Sequence, residues 1–154
     1  MNVRWKRYLC KSLLVTFTIV VGAIWVQAQT SSVADEAAIR KHLSGYADAR
    51  QTGDGHAQSL FFTDDADEWG LAPRMRKGRA QLERGLNIPP EQSRQFKLEI
   101  TNVSFLRPDV ALVDALYYGA ATNPAGHAFY LLIKHSGRWL IRSSRITRFP
   151  MQTQ

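Results

Sequence analysis

Cysteine is almost absent from this chain: Cys10 is the only one among 154 residues, so no disulfide can staple the fold and no thiol pair is available for chemistry or metal. A membrane-length apolar run is missing too. Leu13 to Val26 spans 14 residues, carries Thr16, Thr18 and Gly22, and falls short of the ~20 that a bilayer core requires. There is no Gly-x-Ser-x-Gly elbow and no glycine-rich phosphate loop, which removes the usual frames for serine hydrolysis and nucleotide binding. His42, His56, His127 and His135 form no short ligand spacing, and the acidic cluster from Asp64 to Glu68 lacks the periodic oxygen ligands of a calcium loop. Neither a metal nor a cofactor is expected.

What is present begins with a leader. Arg4, Lys6, Arg7 and Lys11 occur with no acidic residue, the short apolar run follows, and Val26-Gln27-Ala28 offers a small-residue cleavage site. Residues 1–28 therefore read as a signal peptide cut after Ala28, which sends the chain to a periplasmic or secreted location without a stable membrane anchor. The lack of an Arg-Arg pair and the position of Cys10 ahead of the run argue against twin-arginine export and lipoprotein anchoring. The remaining 126 residues suffice for one domain with its own core. Loss of the four leader cations leaves 16 basic against 13 acidic residues, so a net charge of +7 falls to +3. That excess makes no nucleic-acid footprint, and Arg74, Arg76, Lys77 and Arg79 follow Asp64, Asp65, Asp67 and Glu68 closely enough for mutual screening.

Residues 29–34 read as a disordered polar tail, and 35–150 as the folded domain. Ile39, Leu43, Tyr46 and Ala47 recur at helical spacing, with Ser32 or Asp35 as the cap and Gly53 as the stop. A brief helix from about His56 would carry Leu60, Phe61 and Phe62 into the core ahead of an acidic turn at Thr63 to Ala66. A third helix is expected over Arg79 to Leu86, after which Pro89-Pro90 would force an extended loop. Beyond Gln95 the pattern alternates and predicts four antiparallel strands, divided at Arg107-Pro108-Asp109, Asn123 to Gly126 and Ser136-Gly137. Three helices followed by strands is an α+β pattern. The last loop sets which side chains look inward. A three-residue loop, His135-Ser136-Gly137, is preferred because it keeps Trp139 and Ile141 dry and exposes Arg142; it places His127, Phe129, Leu131, Ile133, Trp139, Ile141, Ser143 and Arg145 on one face. A two-residue Ser136-Gly137 loop would pair Ile133 with Leu140 instead.

Gly53-Asp54, Phe62, Asp64-Asp65-Ala66, Gly78-Arg79, Asp109 to Val113 and Gly137-Arg138-Trp139 occur in an order that resembles the nuclear transport factor 2-like superfamily, which includes ketosteroid isomerase and SnoaL-like cyclases. The resemblance implies three N-terminal helices packed on a curved antiparallel sheet that forms a cone-shaped barrel with an internal cavity, and it implies a homodimer built on the outer sheet face, where Tyr117, Tyr130 and Leu132 would lie. Tyr46 matches a tyrosine that donates to the substrate oxygen in the isomerases, a role suited to a buried neutral phenol. By offset, the two isomerase aspartates fall near Gly70 and Leu131, which cannot transfer protons, so steroid isomerisation by that mechanism is disfavoured.

Asp114 is the candidate replacement. The resemblance turns its face, with Val110, Leu112, Leu116 and Tyr118, toward the cavity; the opposite face, Ala111, Val113, Ala115 and Tyr117, would leave it solvated, and periodicity alone does not choose. His127 is a candidate base, Arg145 a partner for Asp114 or for an anion, and Glu68 a spare carboxylate. Trp69, Tyr118, Phe129, Leu131, Trp139 and Arg145 are the expected ligand-binding set, around a small apolar or weakly anionic organic molecule. The expected activity is ligand binding or cofactor-free proton transfer, cyclisation or hydrolysis; the alternative is a non-catalytic dimerisation or assembly module.

Overall fold

The computed structural model describes residues 32–71, 74–120 and 123–150. The leader, Cys10 and residues 29–31 of the expected tail lie outside these. The chain divides into two compact units, Met1–Ala37 and Ala38–Gln154. Of the first, the described residues 32–37 are helical, so residues 32–34 are not the expected tail and neither Ser32 nor Asp35 stands ahead of the helix as a cap. All that follows concerns the second unit.

That unit is helical from its start to residue 51 (α1), with Ile39, Leu43, Tyr46 and Ala47 buried along one stripe as their spacing requires. Gly53 ends it at φ +76, where a Cβ would meet the Ile88 carbonyl oxygen at 2.2 Å. Asp54 caps α2 (Gly55–Ser59) by accepting from the Ala57 amide at 3.1 Å. Leu60, expected in the core, is exposed, while Phe62 is fully buried.

The expected acidic turn is instead strand. Phe62–Trp69 forms β1, which pairs antiparallel with β2 (Met75–Lys77) and parallel with the final strand. Next come α3 (Arg79–Leu86) and a single turn, α4 (Pro90–Ser93). Pro90 occupies the first turn of α4, where a missing N–H costs nothing, so the proline pair starts a helix rather than enforcing an extended loop. The remaining strands are β3 (Lys97–Arg107), β4 (Val110–Tyr118), β5 (Gly126–His135) and β6 (Arg138–Arg148).

The sheet is mixed, with order β2-β1-β6-β5-β4-β3. It has two free edges, so the expected all-antiparallel, closed barrel is replaced by an open six-stranded sheet, and the described residues hold four helical segments instead of three. Leu82 and Leu86 join the α1 stripe against the inner sheet face to form one core with Ala111, Val113, Ala128, Tyr130, Leu132 and Ile141.

Two expectations about that inner face are overturned. Ser136 at φ 49 and Gly137 at φ 76 make a two-residue turn with both central residues left-handed, so His135 faces Arg138 and Ile133 faces Leu140. The reason for preferring the longer loop disappears at a bulge: Leu132 pairs with Ile141 and Leu131 with Ser143, leaving Arg142 as the extra residue. Trp139 and Ile141 thus stay dry before the bulge, and Ser144 and Ile146 turn inward after it. On β5 the inward set is consequently Ala128, Tyr130 and Leu132, while His127, Phe129, Leu131 and Ile133 look outward.

On β4 the inward residues are Ala111, Val113, Ala115 and Tyr117. Small side chains let the layers approach, and Asp114 is spared a desolvation cost of several kcal/mol. Tyr117, Tyr130 and Leu132 are therefore core residues and not the outer surface expected of them.

Candidate functional site

Nine side chains were expected at the site, and the structure separates them. Tyr46 is fully buried on the inner face, and Trp139 is a core residue beside Phe105 at the hairpin end of β6. Tyr118 reaches a pocket rim, where its hydroxyl donates to Glu99. The other six are outward. Asp114 accepts from Asn102 Nδ2 at 3.2 Å, and Arg145 donates to Asp67 Oδ1 at 2.6 Å. His127 is exposed, with its ring against Phe129 and Phe149, and Trp69 and Phe129 are 45 % and 37 % exposed. Leu131 is half-buried on the same side. An outward Asp114 or His127 shares no cavity with Tyr46, so the pairing of either with that phenol is withdrawn.

Chemistry gathers on the opposite face. Tyr46 lies edge-on to Tyr130, 6.1 Å between ring centroids, and both side chains are wholly enclosed. Their hydroxyls, with those of Tyr117 and Ser144, have no protein hydrogen-bond partner of normal geometry. Burial, and then the neighbouring Tyr46, push the Tyr130 phenol well above its ordinary pKa. Burial likewise raises Tyr46, although Arg50, one helical turn onward, acts against the rise. Both phenols are neutral donors at physiological pH.

Arg50 joins this polar floor to open space. Burial opposes its charge, yet Tyr46, Tyr130 and Glu68 together hold its pKa above the ordinary value. Its guanidinium carbon stands 4.6 Å from the centre of the Phe96 ring, and Phe96 stacks on Tyr117 with 6.4 Å between centroids. Arg50, Phe96 and Tyr117, with Ala125, Ile146 and Ile88, line a pocket of about 280 Å³. That volume is near the lower limit for organic ligands. Glu68, almost fully buried, accepts from Arg76 Nη1 at 2.6 Å. Among the described residues, no group of three His, Cys, Asp or Glu side chains could hold a metal.

Arg50 and Tyr130 were missed by sequence reasoning. Arg50 was legible: it continues the Ile39, Leu43, Tyr46 stripe at i+4 from Tyr46, and a cation on a buried stripe asks for a reason. Tyr130 was hidden by the bulge. The positions that the isomerase offset assigned to Gly70 and Leu131 have inward-facing near neighbours, Glu68 and Tyr130.

An open mixed six-stranded sheet with helices packed on it defines an α+β architecture. Its fold is the NTF2-like, cystatin-like one, as comparison with solved structures shows. A putative scytalone dehydratase from Novosphingobium aromaticivorans superposes with a TM-score of 0.67 at 15% identity, over 79% of this chain and 89% of that one. A ketosteroid isomerase-like protein from Erwinia carotovora atroseptica gives 0.62 at 22%, over 74% and 95%. An NTF2-like protein with a cystatin-like fold, also from Novosphingobium aromaticivorans, gives 0.65 at 12%, over 82% and 90%. No family model and no curated protein matches the sequence. At these identities the likeness is one of fold.

Proposed function

We propose that this is an exported protein that binds a small, mainly apolar organic molecule in the inner pocket, with Arg50 and the Tyr117 ring as its contacts and Tyr46 and Tyr130 as the polar floor behind Arg50. The observation that carries the reading is the enclosed hydroxyls that lack a partner of normal geometry among the described residues, of which Tyr117 lines the pocket and Tyr46 and Tyr130 act on its lining residue Arg50. Such groups cost stability where they stand, and a fold retains them at sites of use. If the bound molecule is turned over, the chemistry is cofactor-free proton transfer in which Arg50, backed by the Tyr46 and Tyr130 phenols, stabilises a developing oxyanion. Names carried by fold neighbours, a putative scytalone dehydratase and an isomerase-like protein, are compatible with that class of chemistry.

The test is native mass spectrometry of the purified chain for retained metabolites, repeated on Ala125→Leu, which fills the pocket from its wall, and on Phe129→Ala, which alters the outer face. Binding lost in the first variant and kept in the second is expected. A ligand retained by Ala125→Leu overturns the reading.

A second reading, self-association through the outer sheet face, is favoured by the exposed Trp69 and Phe129 beside the half-buried Leu112, Leu116, Leu131 and Leu140. The same spectra report it, as a dimer mass that Phe129→Ala weakens.

A further inference from the structure

Arg50 is a largely enclosed guanidinium that, among the described residues, has no carboxylate in ion-pair contact. The half-buried Arg76 already has its counter-ion in Glu68 at 2.6 Å, with side-chain exposures of 19 % and 2 %. Among the described residues, Glu68 is thus taken by Arg76, and Arg50 is left without a carboxylate in ion-pair contact. Glu91 and Arg148 are the other charged residues lining the pocket, one of each sign. The surroundings keep Arg50 charged without pairing it to a carboxylate, so a ligand anion is the direct ionic partner it lacks among the described residues.

The geometry also specifies the form of that charge. The cation sits over the face of Phe96, an interaction that uses charge and consumes no N–H donor. Part of its fork of donors interacts with the Tyr46 hydroxyl, and the rest, with no carboxylate in ion-pair contact among the described residues, matches the two oxygens of a carboxylate. The flat walls, Phe96 stacked on Tyr117 with 18° between ring planes, favour a planar body behind the charged group. A wall volume of about 280 Å³ restricts that body to roughly a single ring or a short unsaturated chain.

Resting on the pocket assignment above, we infer that the ligand is a small planar monocarboxylate whose oxygens pair with Arg50 and whose body lies against Phe96 and Tyr117. The phenols of Tyr46 and Tyr130 stand behind Arg50 as fixed neutral dipoles and hold the guanidinium in place. Glu68, on the same inner face, is kept by Arg76 from neutralising Arg50 itself.

The test is calorimetric titration of the purified full chain with benzoate and with benzamide, its uncharged isostere. Wild type is expected to prefer benzoate by about tenfold or more, and Arg50→Gln to abolish the preference by losing benzoate affinity. Arg50→Lys, which keeps the charge without the fork, retains only part of it and serves where the glutamine variant does not fold. Equal binding of the two probes by wild type, or a benzoate preference that survives in Arg50→Gln, overturns the inference, as does failure of benzoate to bind at all. A neutral ligand displaced by Ala125→Leu with no carboxylate preference sinks this inference alone; a chain that binds no ligand of any kind sinks the pocket assignment with it.

Discussion

Removing the Tyr130 hydroxyl should make the protein more stable. The ring is fully enclosed, and among the described residues the hydroxyl has no hydrogen-bond partner. A phenol that gives up water without a replacement bond costs about 1–3 kcal/mol, whereas its ring contributes through contacts that phenylalanine preserves, including the edge-on packing against Tyr46. Deleting one oxygen forfeits a few tenths of a kcal/mol of dispersion. Tyr130→Phe should therefore gain about 1–2 kcal/mol, an increase in the urea midpoint on the order of 1 M at unchanged slope. Tyr46→Phe makes the control, because Arg50 bears electrostatically on the Tyr46 hydroxyl and that interaction is lost with it, so its gain should be smaller. Both variants should bind the pocket's ligand more weakly, the exchange of stability for function expected of a binding site. Tyr130→Phe unfolding at lower urea than wild type by more than about 0.5 kcal/mol would refute the reasoning, since it would mean the hydroxyl already serves the fold.

The Glu68–Arg76 pair gives the opposite sign. Arg76→Met strands a buried carboxylate and should cost about 3–5 kcal/mol, while adding Glu68→Gln should recover a large part of that loss in chemical denaturation; a double variant no better than Arg76→Met would show that the pair is not what matters there. His42 governs an acid limb. Burial lowers its pKa from 6.5, although its Nε2 contact with the Phe61 carbonyl oxygen at 3.0 Å works the other way. The unfolded chain therefore binds the proton more readily, so the His42 contribution is complete above pH 6.5 and is lost as the pH falls through the depressed folded value. Melts of wild type and His42→Gln between pH 7.5 and about 5 should diverge in slope, with the variant flatter; parallel curves would remove His42 as the source.

Much of this architecture is visible in residue order. The helical stripe Ile39, Leu43, Tyr46 and the helix from Arg79 to Leu86 have the spacings and stops that physical chemistry demands, and the last four strands alternate between clear turn signals. The acidic segment was misread because Thr63 to Glu68 is too polar to look like strand; it becomes strand by pairing with β6, a parallel partner far away in sequence that stabilises Asp67 through Ser143 and Arg145. Long-range pairing of that kind leaves no local mark.

The candidate site depended on one residue of register. Along β6 the inward positions step from Trp139 and Ile141 to Ser144 and Ile146, so no single alternation fits the strand, and any reading that imposes one misplaces half of its side chains. The bulge at Arg142 has two effects that cannot be separated. It keeps an arginine off the core face, and it brings Tyr130 and Ser144 opposite each other on the inside while Arg145 and Phe129 face each other on the outside. The polar residues that looked like a site in the alternating pattern are thereby delivered to the outer face, where Asp67 neutralises Arg145. Among the described residues the inner face receives neutral hydroxyls, the Glu68–Arg76 pair and, from α1, the guanidinium of Arg50. That division, with the Asp67–Arg145 pair outside and Arg50 without a carboxylate within, is why the proposed ligand contacts lie on the inner face.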